Sequence, residues 1–318
     1  MTLKLIKTLW GIDEPISPSL FESIKQEGYH GVEVIRLAWQ DESAVTKLVQ
    51  ALNAAQLSVV CQVHTTGGFL RDNNNNNNNN NTNGEYVYCD EYDVQQHVAS
   101  FRQQLRECQD VIAKLDDATG SFVNVHAGVD AWTHEQAVTF LQASVQEIQD
   151  QVVQVPVVFE THRQRLFGNP FQTRALLQDD RIIATTTGAE IQLNADLSHW
   201  YCACERVFDA TDKRDAAWWP DLLAQLQGRV SYIHARFGWA QGPQMANPAA
   251  EYNELDRSLQ LQVWQQLLTA MKEAGKDCFV CCEYGPAPYL PNAMDAVPLP
   301  EAVLLTKEYI EGIFEEFV

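Results

Sequence analysis

Apolar positions along the chain fall into two alternating patterns. Short unbroken runs of β-branched and aromatic residues have strand length. Longer stretches between them repeat their apolar residues at helical spacing. The strand-like runs are LIKTLWGI, GVEVIRL, LSVVCQVH, FVNVH, VPVVFET, IQLNAD, VSYIHA and CFVCCE, in that order. The first helical stretch is SPSLFESIKQEG, with Ser17 placed to cap it and Pro18 at its first position. ESAVTKLVQALNAAQ follows, and then a long helix from about Glu91 to Leu115. THEQAVTFLQASVQEIQDQV opens with the capping-box pair Thr133 and Gln136. Helices are also expected near Phe171 to Leu177 and around Trp218 to Leu226. SLQLQVWQQLLTAMKEAG stops at Gly275, and PEAVLLTKEYIEGIFEEF closes the chain. Eight strand–helix units in 318 residues predict one α/β domain over 1–318, folded as a single (β/α)8 TIM barrel. An open doubly wound sheet would carry a Gly-rich phosphate loop after an early strand, and there is none. One segment stands outside the pattern: RDNNNNNNNNNTNG, at about 72–84, contains nine consecutive asparagines, Asn73 to Asn81. It has nothing to bury and reads as a low-complexity loop insertion.

The strand-like runs share an ending. LSVVCQVH closes on His64 and FVNVH on His126. VPVVFETH reaches Glu160, IQLNADLSHW reaches Asp196, VSYIHARFG reaches His234 and CFVCCEYGP reaches Glu283. A single ionisable residue after a strand is most often a solvated loop residue. Six in register are a pattern, because the C-terminal strand ends are where a (β/α)8 barrel presents its chemistry.

Charge narrows the function. Lys and Arg number 22 against 42 Asp and Glu, a formal net charge of -20. That field repels nucleic acids and anionic membranes, so neither is expected as a partner. No apolar run is long enough to span a membrane, and MTLKLIKTLWGIDEP has no secretory h-region, so a cytoplasmic protein is expected. A homo-oligomer is compatible with this composition. The eight cysteines lack paired C-x-x-C spacing and lie largely in apolar runs, where they pack as small hydrophobes.

Glu160, Asp196, His234 and Glu283 offer three carboxylates and one imidazole from consecutive strand ends. Converging carboxylates repel unless a cation or proton intervenes. An oxygen-rich set with one histidine suits Mn2+ or Mg2+, with Zn2+ or Co2+ also compatible.

The segments GYHGVEV, FETH, LNADLSHW, YIHARFG and CCEYGP together resemble the xylose isomerase-like TIM-barrel superfamily. The likeness is to its sugar-phosphate isomerase/epimerase branch, which includes the ketose 3-epimerases, and it covers nearly the whole chain. The resemblance implies that Glu160, Asp196, His234 and Glu283 bind one divalent metal. It also implies that Glu160 and Glu283 act as acid and base on opposite faces of the substrate, and that His199 contacts substrate. The chain departs from the ketose epimerases in HARFGWAQGPQ, with Arg236 only two residues beyond His234, and in ETHRQR, which adds a histidine and two arginines. The same superfamily contains the three-zinc AP endonucleases. His64, His126, Glu160, Asp196, His199, His234 and Glu283 resemble zinc-binding positions there, but the Asp-x-His pair expected after the seventh strand is absent. His64 and His126 are therefore read as contacts to substrate hydroxyls, or alternatively as part of a second metal site. Glu33 and Trp10 are further substrate-binding candidates, and Arg236 is the foremost anion-binding one. Trp10 and Trp239 are read as stacking on a sugar ring or, equally, as core or wall packing, and Arg163 and Arg165 as grips for a phosphate or carboxylate or as partners of the acidic excess at the surface.

These readings point to a divalent-metal-dependent sugar, sugar-phosphate or polyol isomerase or epimerase that moves a proton through an enediolate. The alternatives are a multi-metal phosphodiesterase or AP endonuclease-like hydrolase, and a non-catalytic sugar-binding barrel.

Overall fold

The structure, a computed structural model, describes residues 1–66, 92–151, 154–183 and 191–316. The asparagine-rich insertion expected at about 72–84 lies outside the described residues. Eight strands form the centre: β1 (Leu3–Thr8), β2 (Gly31–Ile35), β3 (Ser58–His64), β4 (Phe122–His126), β5 (Val157–Glu160), β6 (Leu193–Ala195), β7 (Val230–His234) and β8 (Cys278–Cys281). All pair in parallel in chain order, and β8 closes on β1 through Leu3↔Cys278 to Ile6↔Cys281. This is the closed (β/α)8 barrel that the alternating pattern predicts.

The helices among the described residues are α1 (Pro18–Gln26), α2 (Glu42–Ala55), α3 (Val94–Ile112), α4 (His134–Gln149), α5 (Pro170–Leu177), α6 (Asp180–Ile183), α7 (Ser198–Ala203), α8 (Trp219–Arg229), α9 (Glu254–Glu273) and α10 (Leu299–Glu316). Their starts follow side-chain chemistry. Ser17 accepts from Leu20 N at 3.3 Å, and Asp41 accepts from Ala44 N at 2.8 Å. Thr133 and Gln136 form a full capping box, which satisfies two backbone donors reciprocally. After α9 the chain turns at Gly275, whose φ of +75° favours a residue without Cβ. No helix among the described residues is long and apolar enough to cross a membrane.

The two-residue period of the strands sorts their side chains into two layers. Val32, Val34, Val59, Cys61, Val63, Val123, Val125, Val157, Phe159 and Ile233 pack with helix residues such as Leu48, Phe101 and Leu141. The alternate positions face the barrel interior. At its N-terminal end Ile6, Val60, Phe122, Val158, Tyr232 and Cys281 form a separate apolar plug. Above it the interior series turns polar: Glu33, Gln62, His64, Asn124, His126, Glu160, Asn194 and His234 are all buried. The sheet thus delivers polar groups to its C-terminal mouth over this apolar plug.

Local boundaries differ from the sequence pattern in several places, among them the first strand, which runs Leu3–Thr8 and stops short of Trp10. The second strand ends at Ile35, and Arg36–Ala38 form a 3-10 turn. The sixth strand spans only three residues and shifts register against β7 between Leu193 and Asn194, which leaves Asp196 just beyond it. Helix α7 spans six residues, too short for a periodic signal.

Replacing Thr133 with Ala removes the side-chain half of the α4 cap. The expected cost is about 1 kcal/mol, read as a lower denaturant midpoint at unchanged slope. An unchanged midpoint would show that the cap contributes nothing to the barrel.

Candidate metal centre at the barrel mouth

Glu160 and His234 end β5 and β7, while Asp196 and Glu283 lie one and two residues beyond β6 and β8. The mouth brings these four together: each offers a ligand-type atom, and all four atoms lie within 4.8 Å of one another. His234 Nδ1 is 3.2 Å from Glu283 Oε2, 3.6 Å from Glu160 Oε2 and 3.9 Å from Asp196 Oδ2. All four side chains are buried, with Glu283 the most exposed at 6 %.

The orientation of His234 is fixed from behind. Its Nε2 lies 2.9 Å from Glu33 Oε2, which also accepts from Tyr232 Oη at 2.9 Å. Glu33 Oε1 accepts from Asn124 Nδ2 at 2.9 Å. A carboxylate can only accept, so the Nε2 proton points at Glu33, and in the neutral ring the Nδ1 lone pair faces the other carboxylates. Nδ1 makes no aligned hydrogen bond, and neither does Glu160 Oε1. The opposite oxygen of Glu160 is saturated: Oε2 accepts from Asn124 Nδ2 at 2.6 Å and Asn194 Nδ2 at 3.2 Å, and meets His126 Nε2 at 2.9 Å.

The electrostatics demand positive charge at this point. Burial disfavours the His234 imidazolium, but Glu33, Glu283 and Glu160 outweigh it and hold the ring well above the usual histidine range. Burial also pushes the Glu160 carboxyl up, and His126 and His234 more than reverse this, holding it well below the usual carboxylate range. Burial raises Asp196 to about 6, with Arg236 opposing and Glu283 adding.

Arg236 was expected to meet a substrate anion, and here it is engaged within the cluster. Its guanidinium is 2.5 Å from Asp196 Oδ2, 3.3 Å from Glu283 Oε2 and 3.1 Å from His199 Nε2. Ser198 bonds Asp196 Oδ1 through both its amide and its hydroxyl.

Beside the carboxylates four imidazoles form a row. Ring centroids are 4.2 Å apart for His64–His126, 4.7 Å for His126–His162 and 3.8 Å for His162–His199. Burial first, and neighbouring cationic groups next, hold His64, His162 and His199 well below the usual histidine range. A second grouping of ligand-type atoms unites His126, Glu160 and His162. The sequence reading paired His126 with His64 instead; His64 stands one ring further along the row. Trp10 packs edge-on to Tyr289 at 4.7 Å, and Trp239 is 36 % exposed beside Gly242. Arg165 reaches Thr66 Oγ1 at 3.2 Å.

Several residues of the site escaped the sequence reading. Gln62, Asn124, Asn194 and Tyr232 each lie two positions before a strand-end group, on the same face, and three of the four bond directly to the cluster. The signal was present as a polar or phenolic residue at i−2 in CQVH, NVH, NAD and YIH. Tyr289 had no such signal. It comes from the loop after β8, next to Pro288, and its ring contacts Trp10, Arg163, Arg236 and His199.

The fold is a closed (β/α)8 barrel, and solved structures share it. The solved structure of the IolI protein with a binding zinc atom superimposes with a TM-score of 0.56 at 12 % identity, covering 99 % of both chains. D-allulose 3-epimerase from Methylomonas sp. gives 0.53 at 12 % identity over 100 % of this chain and 98 % of that one. A xylose isomerase domain protein from Alicyclobacillus acidocaldarius subsp. acidocaldarius gives 0.51 at 15 % identity over 99 % of both. No protein-family model and no curated protein matches the chain.

Gly285 lets the β8 loop pass against Trp10: a Cβ there would stand 2.0 Å from an indole carbon. Gly285→Ala is expected to force Trp10 off Tyr289 and to cost about 1–3 kcal/mol of stability. An unchanged thermal midpoint would show that the loop relaxes freely.

Proposed function

We propose that the chain is a divalent-metal-dependent isomerase or epimerase of a sugar or sugar-like hydroxy-carbonyl compound. The observation that carries this reading is His234 Nδ1, turned by Glu33 toward the oxygens of Glu160, Asp196 and Glu283 without a hydrogen-bond partner. Four buried carboxylates, counting Glu33, face one buried guanidinium. A divalent ion offsets the remaining excess. The donor set fits such an ion: three carboxylates and one imidazole suit Mn2+ or Mg2+, and Zn2+ also accepts them. The zinc atom of the IolI structure is in keeping with a divalent ion on this fold.

Glu160, Asp196, His234 and Glu283 would hold the metal. Bound there, a divalent ion supplies the positive charge that acidifies a carbon-bound proton beside a carbonyl. Glu160 keeps Oε1 free for a proton while Asn124, Asn194 and His126 fix Oε2. Glu283, whose Oε2 is 3.2 Å from His234 Nδ1, would serve the other face of the substrate. Two carboxylates acting on opposite faces give an epimer, and one acting alone gives an aldose–ketose isomer. His199, held neutral, would hydrogen-bond a substrate hydroxyl through Nδ1, which makes no hydrogen bond here. The grouping of His126, Glu160 and His162 favours a second reading, a hydrolase in which these three residues would hold a second ion.

Elemental analysis after metal loading is expected to find about one ion per chain. Glu33→Gln is expected to weaken metal binding by about 10–100-fold through His234, without removing a ligand. Glu160→Gln and Glu283→Gln are each expected to abolish exchange of the substrate carbon-bound hydrogen with deuterated water. His199→Ala is expected to keep the ion and lose turnover. Two ions in the wild type, with one lost on His162→Ala, would replace the isomerase reading with the hydrolase.

A further inference from the structure

We infer that the substrate of this site carries an anionic oxygen group, a carboxylate or a phosphate, and that Arg163 binds it. This rests on the proposed function for the rest of the substrate, but the geometry at Arg163 stands on its own.

Arg163 lies three residues beyond Glu160, on the loop that leaves β5. The loop is tied down by Arg165 N to His162 O at 3.1 Å, Leu166 N to Ala127 O at 2.8 Å and Gly168 N to Arg165 O at 2.8 Å. Its backbone is therefore fixed, and the side chain starts from a defined point. The Arg163 guanidinium reaches over α7, where it meets Cys202 Sγ at 3.4 Å, and lies 5.1 Å from the centre of the Tyr289 ring. A thiol sulfur is a weak acceptor, and Tyr289 adds cation–π attraction and a neutral hydroxyl as hydrogen-bond partner, not a full negative charge. Among the described residues no carboxylate lies within ion-pair distance of it.

The chain carries 42 acidic residues against 22 basic ones. Arg36, Arg102, Arg174, Arg181, Arg206 and Arg214 each pair with a carboxylate, although all but Arg36 and Arg206 are largely solvent-exposed. Arg163 is half-buried, and among the described residues its hydrogen bonds go to Cys202 and Tyr289 and not to a carboxylate. A guanidinium presents a planar fork matched to carboxylate and phosphate oxygens.

The surroundings place this donor set at the reacting site. Tyr289 is shared: Arg163 and Arg236 lie 5.1 Å and 5.3 Å from its ring centre. Its hydroxyl is 3.4 Å from His162 Nε2, and His162 stacks 3.8 Å from His199. Arg236 is engaged with Asp196 and Glu283, so it belongs to the carboxylate end. Arg163 belongs to the far end. A ligand of sugar length spans the two, with its carbonyl end at the carboxylates and its charged end at Arg163. A strongly acidic surface repels such a ligand, so one committed arginine at the mouth also sets which anions gain from entering.

The test compares three ketoses that differ only at C6: D-fructose, D-fructuronate with a carboxylate, and D-fructose 6-phosphate. Each is titrated calorimetrically into metal-loaded wild type, Arg163→Gln and Arg163→Lys, after matched melting curves show that the variants fold. At least one anionic probe is expected to bind wild type about tenfold or more tighter than fructose. Arg163→Gln is expected to erase that preference while leaving fructose binding unchanged, and Arg163→Lys to retain part of it. The probe that gains identifies carboxylate or phosphate. Equal binding of all three to wild type overturns the inference, and so does an equal loss on all three in Arg163→Gln. A second measurement is independent of the metal and the sugar skeleton. Metal-free protein is melted with inorganic phosphate or with acetate against chloride at the same ionic strength. Stabilisation that depends on Arg163 upholds the anion site even if the isomerase reading fails; no stabilisation of wild type by either anion overturns it.

Discussion

The contact between Glu33 and His234 governs the rest of the site. A carboxylate buried on β2 takes the Nε2 proton of an imidazole on β7, across the barrel interior. That one bond aims Nδ1 at Glu160, Asp196 and Glu283, and it adds a fourth negative charge to an enclosed space. Buried carboxylates are costly unless they are paired and hydrogen-bonded. Here Asn124, Asn194, Ser198 and Arg236 meet part of that demand, and the unbonded Nδ1 and Glu160 Oε1 mark where the remainder lies. The apolar plug of Ile6, Val60, Phe122, Val158, Tyr232 and Cys281 lies beneath the charged layer.

The barrel was legible because its signal is repeated. Strand-length apolar runs and capped amphipathic helices recur through the chain, and each unit supports the same reading. The strand-end residues were legible for the same reason. Glu160, Asp196, His234 and Glu283 end consecutive runs, and a parallel barrel aligns run ends at one mouth. The supporting amides were legible in principle, because Asn124 and Asn194 sit at i−2 on strands that otherwise read as apolar. The partner of Glu33 was not legible: the bond to His234 joins residues 201 apart in sequence, and only barrel closure sets that distance.

Loop contributions were the least legible. Tyr289 and Arg163 carry no periodic pattern, and their meeting depends on the paths of two loops and on α7 between them. Arg163 in ETHRQR was as readily a surface ion-pair residue as an anion ligand. That no carboxylate among the described residues pairs with it is a property of the fold, since the composition alone would surround it with acid. Arg236 shows the converse: its position beside His234 suggested a substrate contact, and in the fold its guanidinium lies against Asp196 and Glu283 while Nη1 makes no hydrogen bond.

The central claim is that the four strand-end side chains enclose one divalent ion oriented by Glu33. Anomalous diffraction from crystals grown with Mn2+ tests it most directly. The account predicts one strong manganese peak, with Glu160, Asp196, Glu283 and His234 Nδ1 as its nearest protein atoms at about 2.0–2.6 Å. A lone peak between His126 and His162, or full manganese loading with no peak among these four residues, would contradict it.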